Sequence, residues 1–502
     1  MPARALVKLD RSCKLLVRQP ETVNVGATGR GEPHRTPRRY VLALLLLAAF
    51  LVRLPGAQHG LWYDELHTVQ QYLPLSWTGV MTSFTTPNNH IFYTLTLKAF
   101  DLILPPDLDR DTRVAAWRLW SIMVGTLAVA GVWSVARRAL SDRAAIAAAA
   151  WFAVWPMAVD LSQQVRGYAL VMCLGAASTA CLLSLEKMTR RSTLAAVTVH
   201  AAYSALVVLM LYTHPLSIVV AVGHFVAVMA RSSPRQRWSF VLTTLFIAVV
   251  TFRLYARVFA AGMAVASEYV PHQGGLGAIE LFLSRTIRQI GARTGPAWIG
   301  APVAAAAVCG AAAMLRRAPF AGLACVTPPL LLVAAGTVWP PLREPRYLPI
   351  VAPQLGLLIV AGALWAIDRA AARRRLLAVV LTASAAALCI PGLVSISRYP
   401  VQAIREAVVR EHPDGFVVVV GLGAPESTFY QPRVVMAFSA QKLGRCLDTG
   451  LVKRVVVPYP RFWLEQAEQA ELREVIAANF RQTGRYRGRL PEDPDVLEFV
   501  PR

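Results

Sequence analysis

The chain carries eleven mainly apolar runs separated by short polar connections, near residues 40–54, 115–136, 144–160, 168–185, 194–212, 216–230, 238–256, 297–315, 319–339, 347–367 and 376–394. A bilayer core about 30 Å thick takes roughly 20 apolar residues per helix. The pattern therefore predicts an all-α polytopic membrane protein with about eleven transmembrane helices. Hydrophobic residues make up 55% of the 502 residues and charged residues only 16%, far from the balance of a soluble domain.

Charge supplies the orientation. The formal net charge is +23, yet its placement argues against nucleic acid as a partner. Arg137, Arg138 and Arg143; Lys187, Arg190 and Arg191; Arg231, Arg235 and Arg237; Arg316 and Arg317; and Arg369 with Arg373 to Arg375 fall at every second connection. Cytoplasmic loops collect Lys and Arg in this way. The N-terminus is thus expected in the cytoplasm of a cell (inner) membrane. Residues 1–39, with nine Lys or Arg against three acids, read as a disordered basic arm able to touch anionic membrane lipids. The first apolar run starts late and lacks a small-residue cleavage site, so it reads as a signal anchor.

The alternate connections are then outside, the first spanning 55–114. Its stretch His90 to Leu104 is assigned to a helix lying in the interface, because a span there would reverse every later charge cluster. Residues 40–395 form the membrane domain. Beyond 395, FVVVVG from Phe416 and RVVVPYP from Arg454 read as strands, Val401 to Arg410 and Phe462 to Asn479 as helices. Residues 396–502 are expected to form a small extracytoplasmic α/β domain. Gly421 and Gly423 read as a strand-ending turn, not a dinucleotide site. Five cysteines lie in apolar runs and Cys13 in the basic arm, so no internal disulfide is expected.

Three outer connections hold the chemistry. GLWYDELHTVQQY, residues 60–72, puts adjacent carboxylates Asp64 and Glu65 just past a membrane helix. SQQVRGYAL places Gln164, Arg166 and Tyr168 at the head of another, and PPLREPRYLPIVAP places Arg343, Glu344, Arg346 and Tyr347 at the head of a third. Each alone is as readily a solvated acid or a snorkelling arginine. Together they set an acid among guanidiniums on one side of the membrane. That combination suits sugar transfer from a polyprenyl phosphate: the leaving phosphate needs cations, and the attacking hydroxyl needs one general base. A glycosidase would want two separated carboxyls. His214, in LYTHPLS, is equally a turn cap or a donor-pocket residue. Neither HExxH nor paired cysteines occur, so no metal is assigned to the site. A loosely held divalent cation near Asp64 is the only cofactor the residues leave room for.

WYDE at 62–65, NNHIFYTLTLK at 88–98, WRLWS at 117–121, SQQVRGYAL at 162–170, LYTHPLS at 211–217 and REPRYLPIVAP at 343–353 give the chain a family resemblance. Over roughly residues 40–370 it resembles the membrane-embedded GT-C glycosyltransferases. The likeness is to the protein O-mannosyltransferase and lipid A aminoarabinose transferase superfamily, with its bacterial dolichyl-phosphate-mannose-mannosyltransferase-like members. The resemblance implies an inverting transfer of mannose or another hexose or pentose from a polyprenyl-phosphate donor. The acceptor would be an extracytoplasmic glycan, lipid or protein. It makes Asp64 the base with Glu65 beside it, gives the donor phosphate to Arg343, Arg346, Arg166 and Tyr347, and puts Asn89, His90, Gln164, Tyr168 and His214 in the substrate pocket. Related sequences often read SQEARMYAL and HPPLYY, so Gln164 and NNHIFY are departures. The competing classes are a transporter or flippase for a lipid-linked glycan, and a non-catalytic binding subunit.

Overall fold

The computed structural model describes residues 37–61, 63–83, 89–187, 193–256, 258, 276–291, 300–339, 342, 345–370, 373–396, 416–420, 434–437, 439–458, 469–486 and 496–502. Each of the eleven apolar runs carries helix. In chain order the membrane domain consists of α1 (Pro37–Arg53), α2 (Ile91–Asp101), α3 (Arg110–Ala139), α4 (Asp142–Val154), α5 (Pro156–Gln163), α6 (Tyr168–Glu186) and α7 (Thr193–Thr213). It continues with α8 (Ile218–Arg231), α9 (Pro234–Tyr255), α10 (Leu276–Ile290), α11 (Ala301–Arg317), α12 (Pro319–Val338), α13 (Ala352–Arg369) and α14 (Arg374–Ile396). Among the described residues, eight helices are long and apolar enough to cross a membrane, and a bent pair makes a ninth. Pro215–Arg231 is a shorter apolar helix, and α11 has 17 residues.

The bent pair corrects one expectation. The run 144–160 is not a single straight span: α4 and α5 meet at 56°. Pro156 has no N–H to give the carbonyl four residues back, and its ring crowds that carbonyl. The break leaves the carbonyls of Phe152 and Ala153 without helical donors. Arg53, buried at the end of α1, reaches across and donates to both, at 3.2 and 2.7 Å. A cation at a helix C-terminus also suits the helix dipole. The bend turns all of α5 into the interior and aims the following turn, residues 164–167, at the first loop.

Close helix approaches need small residues. A Cβ on Gly125 of α3 would run into Ser162 of α5, and one on Gly310 of α11 would meet the Leu358 carbonyl of α13. Without water to drive helices together, such backbone proximity is what packs a bundle in lipid. The outward faces stay apolar: Trp238, Leu242 and Phe252 of α9 are all exposed. The helix α2 has 11 residues, about 16 Å at 1.5 Å per residue, too short to cross a bilayer core.

The C-terminal part holds a five-stranded sheet, built from β1 (Phe416–Val420), β2 (Val435–Ala437), β3 (Val452–Pro458), β4 (Phe480–Tyr486) and β5 (Val496–Pro501) in the order β2-β1-β3-β5-β4. β1 pairs in parallel with β2 and β3, whereas β5 is antiparallel to β3 and β4. Helices α15 (Ala440–Leu447) and α16 (Ala470–Asn479) cover it through Leu443, Leu472 and Ile476. The strands expected at Phe416 and Arg454 are β1 and β3. The helix expected over 462–479 is described only as α16, and Val401 to Arg410, Gly421 and Gly423 lie outside the described residues.

Candidate active site

Three separated segments converge on Asp64. It lies in a short helix, Tyr63–Leu66, that runs into a π-helical turn, His67–Tyr72, closed by a hydrogen bond from Leu73 N to Thr68 O at 2.9 Å. π-turns concentrate at functional sites. Asp64 Oδ2 accepts from Arg166 Nη1 at 2.8 Å, and Arg346 Nη1 stands 3.6 Å from the same oxygen. Arg166 comes from the turn after α5, and Arg346 from the 3-10 helix Pro345–Val351 that leads into α13. Asp64 and Arg166 are buried, whereas the Arg346 side chain is 44% exposed, so Arg346 is the cation on the open side of the cluster.

Glu65 is occupied differently. Its Oε2 accepts from Arg118 Nη2 at 2.6 Å and its Oε1 from Val165 N at 2.6 Å. Arg118, buried within α3, also donates to the carbonyls of His59 at 2.9 Å, Gln163 at 2.6 Å and Gly60. The pair thus clamps the strip before Asp64 to the strip before Arg166. Glu65 neighbours Asp64 in sequence and Val165 neighbours Arg166, so the clamp sets the separation of the acid and the guanidinium. Arg118 was not anticipated as a site residue: an arginine eight residues into an apolar helix reads as a snorkelling chain. Its only signal is its place in WRLWS.

An aromatic wall flanks the ion cluster. Arg166 stacks over the Tyr168 ring at 4.9 Å and Arg346 over Tyr347 at 5.6 Å, which holds the planar guanidiniums by cation–π attraction. His90 lies 5.5 Å from Tyr168 and 5.3 Å from His214 between ring centroids, and His214 lies 5.8 Å from Tyr347. Gly167 makes room for this packing: a Cβ there would sit 2.9 Å from His90 Cβ and 2.8 Å from Thr213 Cγ2.

Both imidazoles are neutral. Burial, then the positive charge of Arg166, hold His90 well below the usual histidine range. His214 is lowered to about 3 by burial, Arg166 and Arg346. Partners fix the tautomers. His90 Nδ1 faces the Thr213 carbonyl at 3.3 Å and so carries its proton there. The lone pair of its Nε2 has no hydrogen-bond partner among the described residues. His214 Nδ1 accepts from Leu216 N at 3.3 Å, capping the turn before Pro215 as one of its two expected readings holds, and the same ring lines the aromatic wall.

Other expected residues are engaged nearby. Gln164 donates from Nε2 to Asp160 Oδ2 at 3.3 Å, and its Oε1 is buried without a partner among the described residues. Asp160, a buried carboxylate in α5, was not singled out from the sequence. Asn89 spends its amide on the carbonyls of Val80 at 3.0 Å and Ser83 at 2.7 Å, pinning the first loop to the start of α2. Arg343 and Glu344 lie outside the described residues. Among the described residues no group of three or more His, Cys, Asp or Glu could hold a metal ion.

No protein-family model and no curated protein sequence matches the chain. Solved structures match its fold. The oligosaccharyltransferase of Archaeoglobus fulgidus aligns with a TM-score of 0.55 at 11% identity, over 85% of this chain and 70% of its own. ArnT from Cupriavidus metallidurans aligns with a TM-score of 0.51 at 15% identity, over 92% of this chain and 97% of its own. A structure of ArnT bound to undecaprenyl phosphate aligns with a TM-score of 0.51 at 14% identity, over the same shares, 92% and 97%. The chain shares the fold of these structures, as its sequence motifs led us to expect.

Proposed function

We propose that this protein is an inverting glycosyltransferase that moves a sugar from a polyprenyl-phosphate donor to a hydroxyl of an acceptor outside the cytoplasm. The observation that carries the reading is one carboxylate oxygen, Asp64 Oδ2, held 2.8 Å from Arg166 and 3.6 Å from Arg346 in a largely buried cluster. A similarly folded ArnT structure has been solved with undecaprenyl phosphate, and the archaeal enzyme AglB with dolichol-phosphate, which supports a lipid-phosphate ligand for this fold.

In this reading the acceptor hydroxyl oxygen bonds to the sugar's anomeric carbon as the bond from that carbon to the phosphate oxygen breaks. The electron pair leaves with the phosphate, which Arg166, Arg346 and Arg343 neutralise, and the hydroxyl proton passes to Asp64. Attack opposite the leaving group inverts the anomeric centre. The incoming phosphate competes with Asp64 for the two guanidiniums. Exposed Arg346 turns to it, which opens one approach to Asp64 Oδ2 for the acceptor hydroxyl while Arg166 keeps its 2.8 Å contact and holds the carboxylate in place. Charge-assisted contacts to an oxyanion are the strongest such a site can offer. Neutral His90 and His214 add no further cation and leave the Nε2 lone pair of His90 for a sugar hydroxyl. Glu65 and Arg118 hold the geometry. The alternation of Lys and Arg clusters supports a cytoplasmic N-terminus, with this site and the C-terminal sheet on the opposite side.

The test is transfer from a panel of radiolabelled polyprenyl-phosphate sugars to cell-envelope acceptors by wild type and Asp64→Asn protein. Losing a general base costs about 10²- to 10⁴-fold. Turnover should fall by that order in the variant, while donor binding stays equal or tightens because the competing carboxylate charge is gone. Donor binding without transfer from any member of the panel would overturn the reading in favour of a transporter or binding subunit, and wild-type turnover by Asp64→Asn would remove Asp64 as the base.

A further inference from the structure

Away from the ends that bring Tyr168 and His214 to the acid cluster, the same helices line a cavity of about 1060 Å³. Its walls are α7 and α9, joined at one level by a hydrogen bond between His200 Nδ1 and Thr243 Oγ1 at 2.9 Å. The last turn of α6 contributes Leu185 and Glu186. The volume is at the upper end for a small-molecule site.

The lining is segregated by depth. Toward the acid cluster it is apolar, with Val208, Phe246 and Val250; at the far mouth stand Glu186, Ser232 and Arg235. Arg235 and Val250 are 15 residues apart on α9, about 22 Å at 1.5 Å per residue. Half a bilayer with its headgroup layer measures about 20–22 Å. The cavity therefore has the depth of one leaflet, with its polar end at headgroup level and its apolar end near the midplane. Arg231 and Arg237 flank Arg235, and none of the three has an ion-pair partner among the described residues. Arg235 and Glu186 are the charged lining residues of the mouth, and Arg231 and Arg237, just beyond the lining, add positive charge beside it.

We infer that this cavity binds an anionic glycerophospholipid of the leaflet opposite the Asp64 cluster, with one acyl chain between α7 and α9 and its phosphate at Arg235. Basic pockets between membrane helices take such headgroups. The tail of a polyprenyl donor fits less well: its phosphate belongs at the other end of these helices, so the tail would enter the cavity apolar end first and leave Arg235 without an anion. The preference for a phospholipid over a donor tail rests on the donor phosphate lying at the Asp64 cluster, as proposed above; the cavity and its basic mouth do not.

Native mass spectrometry of the purified full chain tests this, with phosphatidylglycerol, phosphatidylethanolamine of identical acyl chains, and undecaprenyl phosphate as probes. Wild type should retain phosphatidylglycerol at least tenfold better than phosphatidylethanolamine. Arg235→Glu should abolish the preference, and Ala205→Trp, which fills the cavity from α7, should reduce binding of both. Equal retention of the two phospholipids by wild type, or wild-type retention of phosphatidylglycerol by either variant, overturns the inference. So does displacement of phosphatidylglycerol by undecaprenyl phosphate in wild type but not in Ala205→Trp, which would identify the cavity as a donor-tail channel.

Discussion

Replacing Glu65 with glutamine separates a reacting carboxylate from a positioning one. The wild-type side chain presents two acceptor oxygens to two donors, Arg118 Nη2 and Val165 N, each at 2.6 Å. A carboxamide has one acceptor and one NH2 donor, so in either orientation a buried donor faces a donor. The charge-assisted bond lost is worth about 1.5–3 kcal/mol, and breaking a buried ion pair from one side costs about 3–5 kcal/mol. Arg118 keeps its three carbonyl partners, which puts the expected destabilisation near the low end, about 3 kcal/mol. The variant should also lose turnover, because Glu65 and Val165 are the immediate neighbours of Asp64 and Arg166, and a displacement of about 1 Å at a reacting centre can cost about 10²-fold. Reversible unfolding in mixed micelles, initial transfer rate and donor binding measure the three quantities. Rate and stability both within threefold of wild type would refute the clamp. Turnover lost with stability unchanged would also refute it, making Glu65 a proton-transferring group.

Three further outcomes are expected. Arg53→Met should destabilise the bundle by about 2–6 kcal/mol, since the carbonyls of Phe152 and Ala153 each lose a donor worth about 1–3 kcal/mol; adding Pro156→Ala, which restores an N–H for Phe152, should recover part of the loss in the same unfolding assay. Gly167→Ala should cut turnover about tenfold or more by pushing His90, whose Cβ lies 2.9 Å from the added methyl, and overpacking should lower stability by about 1–3 kcal/mol. His214, lowered to about 3 by burial and two arginines, contributes stability that is present above its ordinary value near 6.5. The unfolded chain binds a proton below that pH while the folded chain does not, so the contribution drains away between pH 6.5 and 3 at about 1.4 kcal/mol per unit. Between pH 6.5 and 5.0 wild type should lose about 2 kcal/mol more than His214→Asn, and parallel unfolding curves would contradict this.

The sequence and the structure agree where the signal is local. Twenty apolar residues identify a membrane helix by themselves, and all eleven runs carry helix. Proline is a weaker sign. Pro156 bends its span by 56°, whereas Pro328 and Pro329 sit inside α12 without ending it. The difference is tertiary: Arg53, a hundred residues away in sequence, supplies the donors that the break at Pro156 requires. The strands β4 and β5 went unread for a related reason. FRQTGRY is mostly polar and interrupted by Gly484, and it becomes a strand by pairing with β5 at the sheet edge. At the candidate site, residue types suggested that Asp64, Arg166 and Arg346 act together, but the pairing of Asp64 with Arg166 across 102 residues and the Arg118 clamp depend on how α3 and α5 cross.

That crossing also gives the candidate site its asymmetry. Asp64 and Arg166 are buried and fixed through their neighbours to one clamp, whereas Arg346 is 44% exposed and approaches the shared oxygen from a different helix at 3.6 Å. A charged ligand entering such a cluster displaces the weaker contact first. The buried pair then becomes the reference against which the ligand is oriented, and the exposed arginine supplies adaptation to its size. If Arg346 were buried and paired as closely as Arg166, opening an approach to the carboxylate would mean breaking a short buried ion pair, at a cost of several kcal/mol. If both were exposed and loosely paired, nothing would hold the carboxylate in register with the acceptor. One buried and one exposed guanidinium meet both requirements, which is the physical reason to expect Arg166 replacements to disturb turnover more than affinity, and Arg346 replacements the reverse.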